Sequence, residues 1–283
     1  MTGLRQKLDA YARRLEQAGI QNPEREIDRL VCAVMGVVEG SAVPLLARAS
    51  EAELARVEQA VGEREKRRPI ERILGTATLF GLTLQTFDGV FKPYPETEAF
   101  IEHACLLLEK MPGNPRILDL GTGTGCILLA ILKAMPHVSG VGVDIDPQVV
   151  ERAQANARLT GLEARAAFAM SDWGDGITEK FDLVLSNPPR VATENLDLLM
   201  PEMRLYDPPL SLDGGMDGIK FYRRSVNKLP ELAKPGGYGL FQVGPKYAHN
   251  VAQLFHKHGY LNSGVLINYA ASPVAVMVEN RFQ

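Results

Sequence analysis

The apolar positions of this chain change rhythm near Pro115. Before it they recur at helical spacing, first at Leu4, Leu8, Tyr11, Ala12 and Leu15, then at Ile27, Leu30, Val31, Val34 and Met35. Ser50, as an N-cap, opens a third predicted helix that carries Leu54, Val57 and Val61. That helix closes in Arg64, Lys66, Arg67 and Arg68, just before Pro69. Cations in a last helical turn complement the helix dipole, and this reading is preferred to an acidic partner. The run Thr78 to Leu84 reads as a small hairpin bent at Gly81. Pro93-Tyr94-Pro95-Glu96-Thr97-Glu98 then leads into a helix over 99–109.

Beyond Pro115, short apolar runs alternate with helical ones. Strands are expected at 116–120, 138–144, 164–170 and 181–185. Between them fall a helix at 126–134 and another from Pro147, capped by Asp146, to Leu159, stopped by Gly161. After Pro235-Gly236-Gly237 come a strand at 238–243, a helix at 247–258, and closing strands at 265–269 and 274–279. This alternation predicts an α/β fold with a mostly parallel sheet covered on both faces. The domain organisation expected is a helical domain over 1–75, a hairpin linker over 76–92, and a larger domain over 93–283. There are no internal repeats and no low-complexity segment.

Composition narrows the class without naming it. With 283 residues, 46% of them hydrophobic and 23% charged, the chain is long enough for a sizeable core and two domains. A net charge of −3 gives no reason to expect tight nucleic-acid binding. Cys32, Cys105 and Cys126 are far apart, lack metal-type spacing and read as reduced, buried thiols of a cytoplasmic protein. The N-terminus begins an amphipathic helix without the apolar core of a secretory signal, and no stretch is long and apolar enough to span a membrane. His103, His137, His249, His256 and His258 show no catalytic or metal-ligating arrangement, so no metal site is expected.

Asp119-Leu120-Gly121-Thr122-Gly123-Thr124-Gly125 lies between a predicted strand and its helix. Glycines there permit a tight turn and close approach of a ligand to the backbone. A phosphate loop needs Gly-Lys, and no such pair occurs in the chain. A dinucleotide fingerprint needs Gly or Ala where Cys126 stands. S-adenosylmethionine has no phosphates to cradle; it needs room for a methionine moiety and an acid near its amino group, where Asp119 is placed. Asp144 ends the next strand, where a carboxylate can accept both ribose hydroxyls, with Ile145 beside it. Asp172 is a candidate for the adenine amine and Trp173 for a cover over its ring. The cofactor set is therefore Asp119, Gly121, Thr122, Gly123, Gly125, Asp144, Ile145, Asp172 and Trp173, with Asn187 at its edge.

Phe181 to Leu185 leads through Ser186 into Asn187-Pro188-Pro189-Arg190. A residue before proline is pushed to extended geometry, and two prolines fix φ and remove two N–H donors. Carbonyl oxygens are thereby left projecting. An amide nitrogen is a poor nucleophile because its lone pair is delocalised. If the Asn187 side-chain oxygen and the Pro188 carbonyl each accept one N–H, orientation does most of the catalysis and no strong base is needed. Asn187, Pro188 and Pro189 are the expected catalytic element, and Arg190 and Tyr94 the expected further contacts to the acceptor.

With these motifs together, the chain resembles the HemK/PrmC-type protein-glutamine methyltransferases over essentially its whole length. The resemblance rests on the N-terminal helices, Pro69-Ile70 to Gly81, Pro93 to Glu98, Asp119 to Gly125, Asp144, Asn187 to Pro189, and Tyr206 to Gly218. It implies a class I methyltransferase domain with a Rossmann-like seven-stranded, mostly parallel sheet, and a small helical N-terminal domain that helps hold a protein substrate. It also implies transfer of a methyl group from S-adenosylmethionine to the glutamine amide of the Gly-Gly-Gln motif in peptide-chain release factors. Three positions depart from the family pattern: Arg190 stands where Tyr is usual, Tyr94 where Arg is usual, and Gln242 where Glu is common. Either Tyr94 and Arg190 are a compensated swap, or the acceptor has changed to a small molecule whose anion Arg190 would pair with. Methylation of adenine in nucleic acid is opposed by the acidic net charge and the missing aromatic. A binding protein that has lost catalysis is opposed by the intact glycine loop, Asp144 and Asn187.

Overall fold

A computed structural model describes residues 2–37, 40–260 and 262–282. The chain forms two compact units. One runs to Thr76 and takes in Met200–Tyr206; the other comprises Ala77–Leu199 and the chain from Asp207 onward.

The first unit is helical: α1 (Thr2–Gln17), α2 (Pro23–Val34), α3 (Ala42–Leu46), α4 (Glu51–Glu65) and α5 (Ile70–Leu74). Tyr11, Leu15, Ile27, Leu30, Val31, Val57 and Val61 close its core, so the sequence periodicity reads the buried faces correctly. Ser50 caps α4 through a reciprocal pair with Glu53, which satisfies two N–H groups that a bare helix end leaves open. The short helices α3 and α5 are additional to the predicted ones.

The basic run at the end of α4 has a different role from the one expected. Arg64 Nη1 and Arg67 Nη2 bind the Glu202 carboxylate at 3.0 and 2.6 Å, and Arg64 Nε binds Glu26 at 2.7 Å. Arg64 and Glu202 are buried. Glu202 belongs to the segment Met200–Tyr206, far away in sequence, and buried guanidinium groups need carboxylate partners more than a helix end needs cations.

The second unit opens with a hairpin, β1 (Thr76–Leu79) and β2 (Leu82–Gln85), turned at Phe80-Gly81 with both φ values positive. Then follow α6 (Thr97–Leu108), β3 (Arg116–Leu120), α7 (Cys126–Ala134), β4 (Ser139–Asp144), α8 (Pro147–Leu159), β5 (Ala166–Met170) and β6 (Phe181–Ser186). A 3₁₀ helix (Thr193–Leu198) leads into α9 (Pro201–Tyr206), which belongs to the helical unit. After it come α10 (Pro209–Leu212), α11 (Lys220–Leu232), β7 (Ala233–Gln242), α12 (Ala248–Lys257), β8 (Ser263–Ile267) and β9 (Pro273–Glu279). Helix α11 is missing from the sequence-based elements, although Tyr222, Ser225, Val226, Leu229 and Leu232 mark its buried face at helical spacing. Pro230 near its end masks that signal.

Seven strands form one sheet in the order β5-β4-β3-β6-β7-β9-β8. β9 is antiparallel to both neighbours and the remaining pairs are parallel. Alternate residues of each strand feed separate cores. Ile117, Leu183 and Leu185 pack with α6, α7 and α8, whereas Leu118, Leu120 and Val184 pack with α11 and α12. The strand order reverses between β3 and β6, and in such sheets ligands bind outside the carboxyl ends at that point. No helix among the described residues is long and apolar enough to cross a membrane.

Candidate active site

The register of three parallel pairs sets what meets at the reversal point. Leu120 lies opposite Val143 and Ser186, and Asp144 opposite Met170. The chain segments leaving β3, β4, β5 and β6 therefore emerge at the same end of the sheet. Ser186 Oγ donates to the Leu120 carbonyl at 2.8 Å inside the core and ties β6 to β3 at the last position before their loops.

The glycine loop is folded back on the sheet. The N–H groups of Gly121 and Thr122 both donate to the Val143 carbonyl at 2.9 Å. Gly121, Gly123 and Gly125 all have positive φ, a region costly for residues with a Cβ. Gly123 N–H donates to Asp144 Oδ2 at 3.1 Å, and Thr122 Oγ1 donates to Asp119 Oδ2 at 2.8 Å. Asp119, Thr122, Gly123 and Asp144 are thus joined in one hydrogen-bonded loop. Gly121 closes it against β4, and Gly125 caps α7.

Asp119 is fully buried and its Oδ1 has no hydrogen-bond partner. Burial raises its carboxyl to about 7, against the Thr122 hydroxyl, which works the other way. Asp144 is raised as well, chiefly by burial, against N–H groups led by that of Gly123. A buried acceptor left unsatisfied costs free energy that a cationic donor would recover. The donor set thus fits a ligand with an ammonium group beside Asp119. Ile145, at 59% exposure, offers an apolar surface next to Asp144.

Asp172 and Trp173 do not behave alike. Asp172 stands exposed after β5 with its carboxylate bound by Arg224. Trp173, expected as a cover over an adenine, is 6% exposed, and a Cβ added at Gly121 of the glycine loop would lie 3.8 Å from its ring. Its indole N–H donates to Ser225 Oγ at 3.2 Å and its ring lies 4.7 Å from that of Phe221. A positive φ at Trp173 turns the large apolar side chain towards α11, where burial favours it.

Asn187 follows β6 directly, half-buried, with Pro188 buried and Pro189 half-buried behind it. Its side-chain oxygen accepts a hydrogen bond from Arg190 Nη1. The register pairs Ser186 with Phe241, so Gln242 stands level with Asn187, buried and with an unsatisfied Oε1. Tyr222, fully buried, donates to the Gln242 carbonyl at 2.7 Å. The Tyr94 hydroxyl donates to buried Asp207 at 2.7 Å, and Lys92 Nζ lies 3.7 Å from its ring centroid.

Two supports hold the site, of which the sequence reading missed Asn156 and had the Asp213–Gly218 stretch only as part of the family resemblance. Asn156, fully buried on α8, donates to the Gln85 and Thr124 carbonyls and accepts from Gln85 N–H, tying β2 to the glycine loop. A polar amide in phase with Val149, Ala153 and Ala157 was its signal. The segment Asp213–Gly218 wraps the acceptor loop: Val191 N–H donates to the Leu212 carbonyl at 2.9 Å and Gly214 N–H to the Val191 carbonyl at 2.8 Å. A Cβ at Gly214 would lie 2.8 Å from Arg190 Cα, and one at Gly218 2.7 Å from the Arg190 carbonyl oxygen.

Fold and site together define a class I methyltransferase. Residues 86–203 match the methyltransferase small domain family, and residues 6–75 match the PrmC N-terminal domain. A release factor glutamine methyltransferase of Rhodospirillum rubrum is 39% identical over 253 residues, covering 89% of this chain and 77% of that protein. One from Geobacter sulfurreducens is 35% identical over 263 residues, covering 91% and 89%. The chain belongs to the release factor glutamine methyltransferase family. A methyltransferase structure from Pyrococcus furiosus, 15% identical with a TM-score of 0.53, covers 83% of this chain and 100% of that one and shares the fold.

Proposed function

We propose that this protein transfers a methyl group from S-adenosylmethionine to the side-chain amide nitrogen of a glutamine in a peptide-chain release factor. The observation that carries the reading is the β3–β6 register, which sets the unsatisfied Asp119 carboxylate and glycine loop beside Asn187-Pro188-Pro189. Family membership supports the same acceptor, since the relatives are named for it.

S-adenosylmethionine, when bound, supplies an electrophilic methyl group on a sulfonium. Asp119 would pair with its ammonium and Asp144 would accept from its ribose hydroxyls, while Gly121, Thr122, Gly123 and Gly125 would let the backbone approach. Ile145 would flank the base, with Asp172 at the next strand end. On the acceptor side, the Asn187 oxygen and the Pro188 carbonyl each accept an N–H of the glutamine amide and turn its nitrogen to the methyl group. The N–C bond forms as the S–C bond breaks. An alkylated amide nitrogen is strongly acidic, so its proton passes to water without a dedicated base.

The test is labelled S-adenosylmethionine with purified release factor and, separately, with a lysate freed of macromolecules. Label on the release-factor glutamine is expected, and label confined to small molecules overturns the reading. Asn187→Ala should lower turnover on the order of 100-fold while cofactor affinity stays within about threefold. Equal loss of both removes Asn187 from the acceptor role.

A further inference from the structure

The Arg190 guanidinium stands beside the acceptor element without a paired carboxylate among the described residues. It is half-buried, and its hydrogen-bond partner there is the neutral Asn187 oxygen. Other sheltered arginines of the chain are treated differently. Arg64 and Arg67 share the Glu202 carboxylate, and Arg165 binds the carbonyls of Leu132, Met135 and Val138. Gln242, the neighbour at the end of β7, is uncharged and offers no anion.

The main chain of Arg190 is closely held, and its side chain is tied by the bond to Asn187. Val191 is bonded to Leu212 and Gly214 on either side of the acceptor loop, and Gly214 and Gly218 close tightly on the Arg190 backbone. With the backbone held, rotation of the Arg190 side chain frees the Asn187 oxygen. A carboxylate is the group that would draw it away, because a bidentate, charge-assisted pair is stronger than a bond to a neutral amide oxygen.

From this we infer that Arg190 reads a carboxylate on the acceptor protein near the target glutamine, and that in the free enzyme the same guanidinium rests on Asn187. The inference rests on the proposed glutamine acceptor. It gives acceptor recognition two linked steps. The acceptor's carboxylate takes Arg190, and the Asn187 oxygen becomes available to the glutamine N–H. The same movement takes a cation away from a nitrogen that gains positive charge as the methyl group arrives, which favours transfer.

Synthetic peptides spanning a Gly-Gly-Gln segment, identical except for Glu or Gln at each neighbouring position in turn, test this directly. The wild-type enzyme should favour at least one acidic peptide over its neutral twin by about tenfold in kcat/KM. Arg190→Met keeps the length of the side chain and removes the donors. It should be slower than wild type on that acidic peptide and faster on the neutral twin, and Arg190→Lys should restore part of the preference. The crossing of the two effects is a coupling that a merely structural role does not produce. Should Arg190→Met bind cofactor poorly, Arg190→Gln gives the same comparison. Absence of any acidic preference in the wild-type enzyme, or an unchanged preference in the variants, overturns the inference. If no peptide and no intact release factor is methylated, the proposed function fails with it, so the two failures are told apart.

Discussion

At the scale of single residues, Asp119 carries the sharpest electrostatic consequence. Burial holds its proton in the folded, ligand-free protein up to about pH 7. The unfolded chain releases that proton near the ordinary carboxylate value. Between those two values the folded state binds more protons than the unfolded one, so the free protein loses stability from this group as pH rises through that window. An ammonium beside Asp119 needs the ionised carboxylate and reverses the balance. S-adenosylmethionine affinity is therefore expected to fall about tenfold per pH unit below pH 7, and to fall again above about pH 8, where the ligand's own α-amino group loses its proton. Calorimetric titration between pH 5.5 and 8.5 measures this, with Asp119→Asn as the control that removes the slope below pH 7. A flat profile in the wild-type protein would place the ammonium elsewhere. Trp173 is packed in the core beside the glycine loop, and a single hydrogen bond gives Arg190 its resting position.

Among the elements, the wrap of Asp213–Gly218 around the acceptor loop is the support on which Asn187 depends. Gly218 combines a φ of +76° with a Cβ position 2.7 Å from the Arg190 oxygen and 2.9 Å from the Tyr247 hydroxyl. Neither the backbone nor the neighbours can absorb a methyl group there without movement. Gly218→Ala should cost about 1–3 kcal/mol of stability and lower turnover more than cofactor affinity. Gly244 has nothing within 4 Å of an added Cβ, so Gly244→Ala is the matched control and should alter neither. Denaturant midpoints and steady-state kinetics of the two variants decide the matter. The sequence shows these glycines as a motif, but gives no sign that they press on Arg190, because that contact joins two loops distant along the chain.

For the molecule as a whole, the helical unit is assembled from two distant stretches of chain, the N-terminal residues and Met200–Tyr206. The Glu202 carboxylate, clamped by Arg64 and Arg67, fixes the second stretch, and Tyr206 adds a hydrogen bond to the Lys66 carbonyl at 2.8 Å. Burial raises the Glu202 carboxyl, but the hydrogen bonds led by Arg67 outweigh it and leave it lowered. Its contribution is therefore present above the ordinary carboxylate value and is lost as pH falls through the lowered one. Removing Glu202 leaves Arg67 without a carboxylate and Arg64 with Glu26 alone, so Glu202→Ala should destabilise by about 3 kcal/mol at neutral pH. Thermal unfolding at pH 7 and pH 3 checks both statements, since the difference between the proteins should shrink in acid. A variant with an unchanged midpoint at pH 7 would show that the clamp is neutral.

The sequence by itself determined the local elements and the chemistry at their ends. Helical spacing in the first unit, short apolar runs in the second, the Asp146-Pro147 cap and the Gly121–Gly125 turn are all properties of neighbouring residues, and local sterics and side-chain burial are enough to set them. The same locality placed Asp119, Asp144 and Asn187 at strand ends. Partners distant in sequence were decided only by the tertiary structure. The fold buries Trp173 against Phe221, turns Arg64 and Arg67 to Glu202, sends Tyr94 to Asp207, and sets Gln242 level with Asn187 across the sheet. Arg190 stands on the boundary between the two. The chain shows it beside Asn187-Pro188-Pro189, but only the packed loops leave its guanidinium on the Asn187 oxygen with no carboxylate among the described residues paired to it. Which partner a charged group takes depends on the positions of all groups within reach, and a one-dimensional pattern of residues does not hold those distances.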